Sequence, residues 1–403
     1  MPDTEVAIIG YEDTYASEDD VKAPLELAVD VVLGALDDAG ITLNEVDSIL
    51  TPRPPIAEPR PQWNNVLSSY LGTVTEYSTE VTIHGAGGNA VLKHALTAIN
   101  SGLVDTVLCV SADAAASFTD PGEDIAAMDI DPEFERPYGP FMPSIYAMIA
   151  QRHMHEYGTT REQMAKVAVE LRKWGTRHPE AEMSGEGEIT INDVLSSRPI
   201  CEPFNLLDCA PWGPAGTGNA FIVTAADRAD EFTTDPIYVR GVGEYNTHEQ
   251  VSDKLTLRGV SPNEDGPTLT TTGSTVAAEQ AYQMAGLQPA DMDMVQLPIN
   301  FTGLGIILLE DLGFCAKGDG GTFVENGGID FDGGLPVSTN GGWLSFGEPV
   351  ISGIMDMIVE AVRQLRGEPL GAPVGNADTA LTMGGGGVIA CNAVSILSTE
   401  RDA

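Results

Sequence analysis

A chain of 403 residues, 42% of them hydrophobic, is long enough for two domains or for one large unit built from similar halves. Its 60 Asp and Glu against 20 Lys and Arg give a net charge of −40, spread along the chain rather than gathered in a tail. That balance excludes nucleic acid as a partner, and the periodic apolar runs between the charges exclude a disordered acidic chain.

A folded protein adapted to molar salt fits this composition, because a Debye length of about 3 Å leaves surface self-repulsion weak. The N-terminal Met1-Pro2-Asp3-Thr4-Glu5 has no basic region, and no apolar stretch approaches the roughly 18 residues a membrane span needs. A cytoplasmic protein with no membrane span is the expectation. Cys109, Cys201, Cys209, Cys315 and Cys391 form no CxxC pair and no cluster with His. They read as small buried hydrophobes in a reducing compartment, with no metal site.

In chain order, Glu5-Val6-Ala7-Ile8-Ile9-Gly10 reads as a first strand. Residues 24–39 set Leu25, Ala28, Val29, Val32 and Leu36 at helical spacing, and Gly40 ends the helix. Ala39-Gly40-Ile41 is followed by Glu45-Val46-Asp47 and a strand over Ser48-Ile49-Leu50. Gly85-Ala86-Gly87-Gly88 then opens an amphipathic helix that ends near Gly102, before an apolar strand over 106–110. Between about 112 and 205 the alternation breaks. Helices are predicted there over 142–157 and 160–177, the second capped by Thr160 with Gln163 three residues on. This stretch reads as an insertion that covers a catalytic face as a lid.

The same phrases return downstream. A strand over 237–241 echoes the first, and a helix over 275–285 stops at Ala285-Gly286-Leu287. Asp291-Met292-Asp293 and a strand over 295–297 follow at matching distances. Asn340-Gly341-Gly342 and Gly347 lead into a helix ending near Gly367, then into a strand over 379–382. Two homologous α/β halves follow, residues 1–230 and 231–403, with the boundary near 225–236 and largely parallel sheets covered by helices. No histidine occurs after His248. Even so, residues 340–349 have the form of a site built around one, a Gly-rich turn able to aim N–H groups at a developing negative charge. The titratable group in that turn is Glu348.

The chain resembles the thiolase superfamily, in the branch related to sterol-carrier-protein thiolase. The phrases that carry the resemblance run from Met154 to Gln163, from Ser197 to Pro211, from Leu308 to Cys315 and from Leu335 to Gly342, so it covers nearly the whole length. It implies a duplicated five-layer α/β/α/β/α thiolase fold with a loop-domain insertion in the N-terminal half. It also implies a homodimer or homotetramer, acyl-CoA substrates and carbon–carbon bond chemistry. Coenzyme A would enter as the thioester substrate or ligand, with no other cofactor. A small OB-fold, zinc-ribbon protein is the partner the branch suggests.

Carried over position by position, the resemblance puts the nucleophilic cysteine at Gly85 and the second cysteine at Thr382. The Gly-His-Pro motif becomes Gly347-Glu348-Pro349, and the thioester-binding histidine or asparagine falls at Pro298. Gly88, Asn340, Gly384 and Gly385 are the implied contacts of the thioester oxygen. Neither Cys209 nor Cys391, which lies well past the Gly-rich turn on an apolar strand, stands where a helix N-terminus would activate it. Glu348, flanked by Trp343, Phe346 and Pro349, is the candidate base, its apolar surroundings favouring the protonated form. His84 is the other titratable group beside the site. Two functions follow: a retro-aldol type cleavage of 3-hydroxyacyl-CoA without a cysteine nucleophile, or a non-catalytic subunit that binds CoA ligands or scaffolds a complex.

Overall fold

A computed structural model describes residues 5–17, 19–114, 130–232, 235–248, 268–349 and 355–401. In the N-terminal half, β1 (Val6–Ala16), β2 (Ser48–Thr51), β3 (Tyr77–Glu80) and β4 (Thr106–Asp113) alternate with α1 (Pro24–Ala39), α2 (Trp63–Leu71) and α3 (Gly87–Asn100). The insertion contributes α4 (Met142–Tyr157), α5 (Arg161–Gly175), α6 (Ile191–Ser196) and a small hairpin of β5 (Pro199–Cys201) and β6 (Phe204–Asn205). Its stretch over 115–129 lies outside the described residues. β7 (Gly216–Ala225) closes this half.

The C-terminal half runs through β8 (Ile237–Asn246), α7 (Ser274–Ala285), β9 (Met294–Gln296), α8 (Thr302–Asp311), α9 (Gly320–Glu325) and α10 (Gly342–Ser345). It ends with α11 (Asp356–Leu365), β10 (Thr379–Gly386) and β11 (Cys391–Ser398). The Gly-rich turn at 340–342 enters the four-residue α10, not a long helix, and the long helix is described from Asp356. Residues 350–354, where that helix was expected to begin, lie outside the described residues, as do 233 and 234 in the expected boundary.

The strands form a sheet in the order β3-β2-β4-β7-β1-β8-β11-β10-β9. It reads outward from the central β1–β8 pair in the same sequence on both sides: first strand, last strand, then the strand that precedes the last. The internal repeat is thus a pseudo-twofold arrangement. The expected parallel sheet is corrected to a mixed one. β2 pairs in parallel with β3 and β4, and β9 with β10, but every pair from β4 through β1 and β8 to β10 is antiparallel. The four residues between β10 and β11 permit only an antiparallel return.

Period-two alternation divides the side chains among three cores. Ala7 and Ile9 face α1 and α2, whereas Val6 and Ile8 face α3 and α11. Ala380 and Ala393 join that central core, while Leu381, Met383 and Val394 face α7, α8 and the insertion helices. The result is five layers, α/β/α/β/α, with α3 and α11 in the middle.

The repeated acidic phrase has a mechanical reason. Asp47 Oδ2 accepts the N–H groups of Asp105 (2.9 Å) and Thr106 (3.0 Å), which open β4. Asp293 Oδ2 accepts those of Asp378 (2.8 Å) and Thr379 (3.0 Å), which open β10. The helix stops also match, Gly40 and Gly286 both being left-handed at φ 68° and 70°. In the insertion, Thr160 caps α5 through Gln163 N (3.2 Å). α4 is tied to the C-terminal half by buried His153, whose Nε2 meets Glu310 Oε2 at 2.9 Å and whose Nδ1 meets Thr159 Oγ1 at 2.9 Å.

Candidate active site

The chain enters α3 through Ile83-His84-Gly85-Ala86, a turn closed by Ala86 N to Ile83 O (3.1 Å) and Gly87 N to His84 O (3.1 Å). His84 holds a left-handed backbone at φ 44°, a conformation that strains a residue with a β-carbon. Gly85 packs directly on the last residues of β10. A β-carbon at Gly85 would lie 2.1 Å from Gly385 O, and one at Gly386 would lie 2.1 Å from Gly85 N. Position 85 therefore has no room for a side chain. The side chain that leaves this turn is that of His84, half-buried, its Cδ2 3.4 Å from where a β-carbon of Gly387 would stand. The turn beyond is left-handed at Gly387, Val388 and Ile389 (φ 59°, 50° and 63°), with both branched side chains buried.

From Gly385 the contacts continue to Glu348. Pro298 Cγ lies 3.3 Å from the β-carbon position of Gly385. Two residues on, Asn300 O accepts from Ala210 N at 2.8 Å, and Cys209 bridges Phe301. Glu348 is then clamped along 211–213: its N–H donates to Pro211 O (2.8 Å) and its carbonyl accepts from Gly213 N (3.2 Å). Gly347 needs its positive φ of 114°, and a β-carbon there would meet Gly213 O at 2.6 Å. The insertion holds the other side of the turn through Glu182 N to Phe346 O (3.0 Å) and Met183 N to Ser345 O (3.1 Å). Glu348 itself is half-buried.

One run of contacts thus joins His84, Gly85, Gly384, Gly385, Pro298 and Glu348. Gly384 belongs to it through Ala86, whose Cα is 3.0 Å from its β-carbon position. Three predicted residues serve the scaffold. Thr382 is fully buried and receives Asn89 Nδ2 at its carbonyl (2.8 Å) and hydroxyl (3.0 Å). Gly88 is buried in the first turn of α3. Asn340 Oδ1 accepts from Gly342 N (2.8 Å), which fixes the turn into α10.

The sulfurs differ from expectation in two respects, the first being that only Cys109 is buried, whereas Cys201, Cys209, Cys315 and Cys391 are half-buried. Burial, then the neighbouring Asp208, Cys201 and Glu348, pushes the Cys209 thiol up to about 12, and burial holds the Cys109 thiol well above the usual range. Cys391 is nearer than its sequence distance implies. It pairs across the hairpin with Gly386, so it shares the face that looks onto His84 and Gly85, and it packs on the same core as Ile83. Sequence reading missed this because a four-residue turn folds the strand back on the Gly-rich corner. Among the described residues no helix is long and apolar enough to cross a membrane, and no group of three or more His, Cys, Asp or Glu is arranged to hold a metal ion.

The family profile described as "Thiolase C-terminal domain-like" matches residues 261–399. The chain is 32% identical to an acetyl-CoA acetyltransferase of Methanothermobacter thermautotrophicus over 98% of its own length and 99% of that protein. It is 34% identical to the 17-hydroxy-3-oxo-4-pregnene-20-carboxyl-CoA lyase of Mycobacterium tuberculosis, over 95% of this chain and 97% of that one. Among solved structures, the Ltp2-ChsH2(DUF35) aldolase superposes with a TM-score of 0.83 at 29% identity, covering 99% of each chain.

Proposed function

The chain belongs to the thiolase superfamily, and from that premise we propose that it cleaves a 3-hydroxyacyl-CoA by a retro-aldol reaction without a covalent acyl-enzyme. What supports this reading is the pairing of two features. The corner that would carry a nucleophile has no space at Gly85, and the run of contacts leading from it reaches the backbone of Glu348, a half-buried residue with a titratable side chain. Likeness over nearly full length to a CoA lyase and an aldolase supports it further.

The reaction needs a base and an electron sink, and no nucleophile. Glu348 takes the proton from the 3-hydroxyl group. The C2–C3 bond breaks as a carbonyl forms at C3, and the electron pair passes into the thioester as an enolate. His84, projecting from the strained turn, returns a proton to C2, giving the shortened acyl-CoA and an aldehyde or ketone.

The test uses protein purified in molar KCl with a panel of 3-hydroxyacyl- and 3-ketoacyl-CoAs. Release of aldehyde or ketone by the wild type, lost in Glu348→Gln, is the expected result. Cleavage of a ketoacyl-CoA that depends on added CoA would instead indicate a conventional thiolase and end this reading. The tight backbone packing at Gly85 also favours a second one, a non-catalytic thiolase-like subunit. Binding of CoA ligands with no turnover, even with an OB-fold partner added, is its signature. The two-component name of the solved aldolase makes that partner the first to try.

A further inference from the structure

Among the described residues two arginines are buried, Arg172 at 5% and Arg363 at 8% exposure. Arg363 is paired with Asp13. Arg172 has no such partner. It stands in the last turn of α5, where the insertion packs on α10: a β-carbon at Gly175 would lie 2.6 Å from that of Ser345, and Met183 N donates to Ser345 O at 3.1 Å. Arg172 Nε donates to Ser345 Oγ at 3.3 Å, and its two terminal nitrogens meet no acceptor and no carboxylate among the described residues. The bases beside it in the chain are matched, Lys173 with Glu170 and Arg177 with Glu188, each at 2.9 Å. Ser345 is 1% exposed, and its hydroxyl, which accepts from Nε, has its own proton left to donate.

A buried cation without a counter-charge carries a large desolvation cost. Burial pulls the Arg172 guanidinium below its usual range, and the exposed Glu186 opposes that only from a distance. The C-terminal end of α5 supplies about half a negative charge, which falls short of the whole. With 60 acidic residues against 20 basic ones, the chain does not lack carboxylates to place there. Met would fill the space with no charge to bury. The missing partner therefore comes from outside the chain. Every group that Arg172 and Ser345 still offer is a donor, which suits an anion and excludes a cation. Water accepts hydrogen bonds too, but it leaves the charge uncompensated. A residue only 5% exposed admits a small ion. In the molar salt that the composition points to, the abundant small anion is chloride.

We propose that Arg172 and Ser345 form a chloride site that pins the insertion to the turn carrying Glu348. It stands independently of the thioester chemistry. Thermal midpoints are measured as chloride replaces gluconate, too bulky to enter, with potassium held at about 2 M so that screening stays constant. The wild-type midpoint is expected to rise along a saturating curve, by about 2–5 °C. Arg172→Met is expected to lose the saturating part. It should also melt above the wild type in gluconate and below it in chloride, because Met removes the buried charge together with the site. Ser345→Ala keeps the charge and should need more chloride to reach the same plateau. Wild-type crystals grown in KBr are expected to show an anomalous bromide peak within hydrogen-bond distance of Arg172 and Ser345, a readout that does not depend on either variant folding. Parallel curves for wild type and Arg172→Met overturn the site. So does a bromide map with no peak there, or with a carboxylate from a second copy of the chain on Arg172.

Discussion

At Gly85 the backbone contact decides what the position tolerates. Gly85→Ala would put a methyl group 2.1 Å from Gly385 O, so the two turns must part or the variant must strain. Overpacking of this kind costs about 1–3 kcal/mol, and a clear drop in thermal midpoint is expected; an unchanged midpoint would show that the corner is open in solution. Cys391 gives a sharper test of the chemistry. Cys391→Ser is expected to leave retro-aldol turnover within about twofold of wild type, because a non-covalent reaction has no use for its sulfur. Loss of turnover, or an acyl adduct at Cys391 by mass spectrometry, would overturn the non-covalent mechanism. Gly347-Glu348-Pro349 was legible as a turn because its glycine needs a positive φ, and Gly384-Gly385 was legible as a place of close backbone approach at the end of β10. The neighbourhood of Cys391 was not legible, because it depends on a hairpin's register, which leaves no local signal.

Among the elements, the helices over 24–39, 142–157, 160–177 and 275–285 read almost to the residue, since the stops at Gly40 and Gly286 and the Thr160–Gln163 cap are local chemistry, whereas α2, α6, α8 and α9 were not predicted. β1 did not. It continues to Ala16 because Asp13 and Tyr15 pair with Asn219 and Thr217, and such polar residues give no apolar alternation to read. The same polar row meets α11, where Arg363 binds Asp13 and Asp356 is fully buried near Asp13, Tyr15 and Glu360. Burial pushes the Asp356 carboxyl up to about 8 and pushes nearby His178 down to about 4. Between about pH 4 and 6.5 the two oppose each other: the native state keeps the proton on Asp356 that the unfolded chain has lost, and lacks the one on His178 that the unfolded chain binds. From pH 6.5 to 8 only the Asp356 contribution remains, with Glu360 shifted in the same direction. Stability is therefore expected to fall over that window, by at most about 1.4 kcal/mol per pH unit for one group. Asp356→Asn keeps the acceptor for Met357 N and should flatten the fall in a pH series of melting curves. An equal slope in the variant would assign the effect to other groups.

For the whole molecule the dominant quantity is the net charge of −40. It has little to do with which fold forms, because the three cores and the sheet register are set by apolar alternation that would serve equally under a neutral surface. It bears on the conditions in which that fold persists. At about 0.15 M salt the screening length is roughly 8 Å, longer than the spacing of neighbouring surface carboxylates, and repulsion then favours the expanded chain. At about 1 M it is near 3 Å and the repulsion is local. The thermal midpoint is accordingly expected to climb steeply as KCl is raised from 0.1 to 3 M. Salt also strengthens apolar burial, so the climb alone does not identify charge as the cause. Replacing exposed Asp20, Asp37, Glu133, Asp227 and Asp230 by Lys changes the net charge by two units at each position, from −40 to −30, without touching a core. If surface repulsion is responsible, this variant reaches its plateau stability at distinctly lower KCl than the wild type. If the two salt curves superimpose, the acidic surface is incidental to stability, and the salt response belongs to the cores.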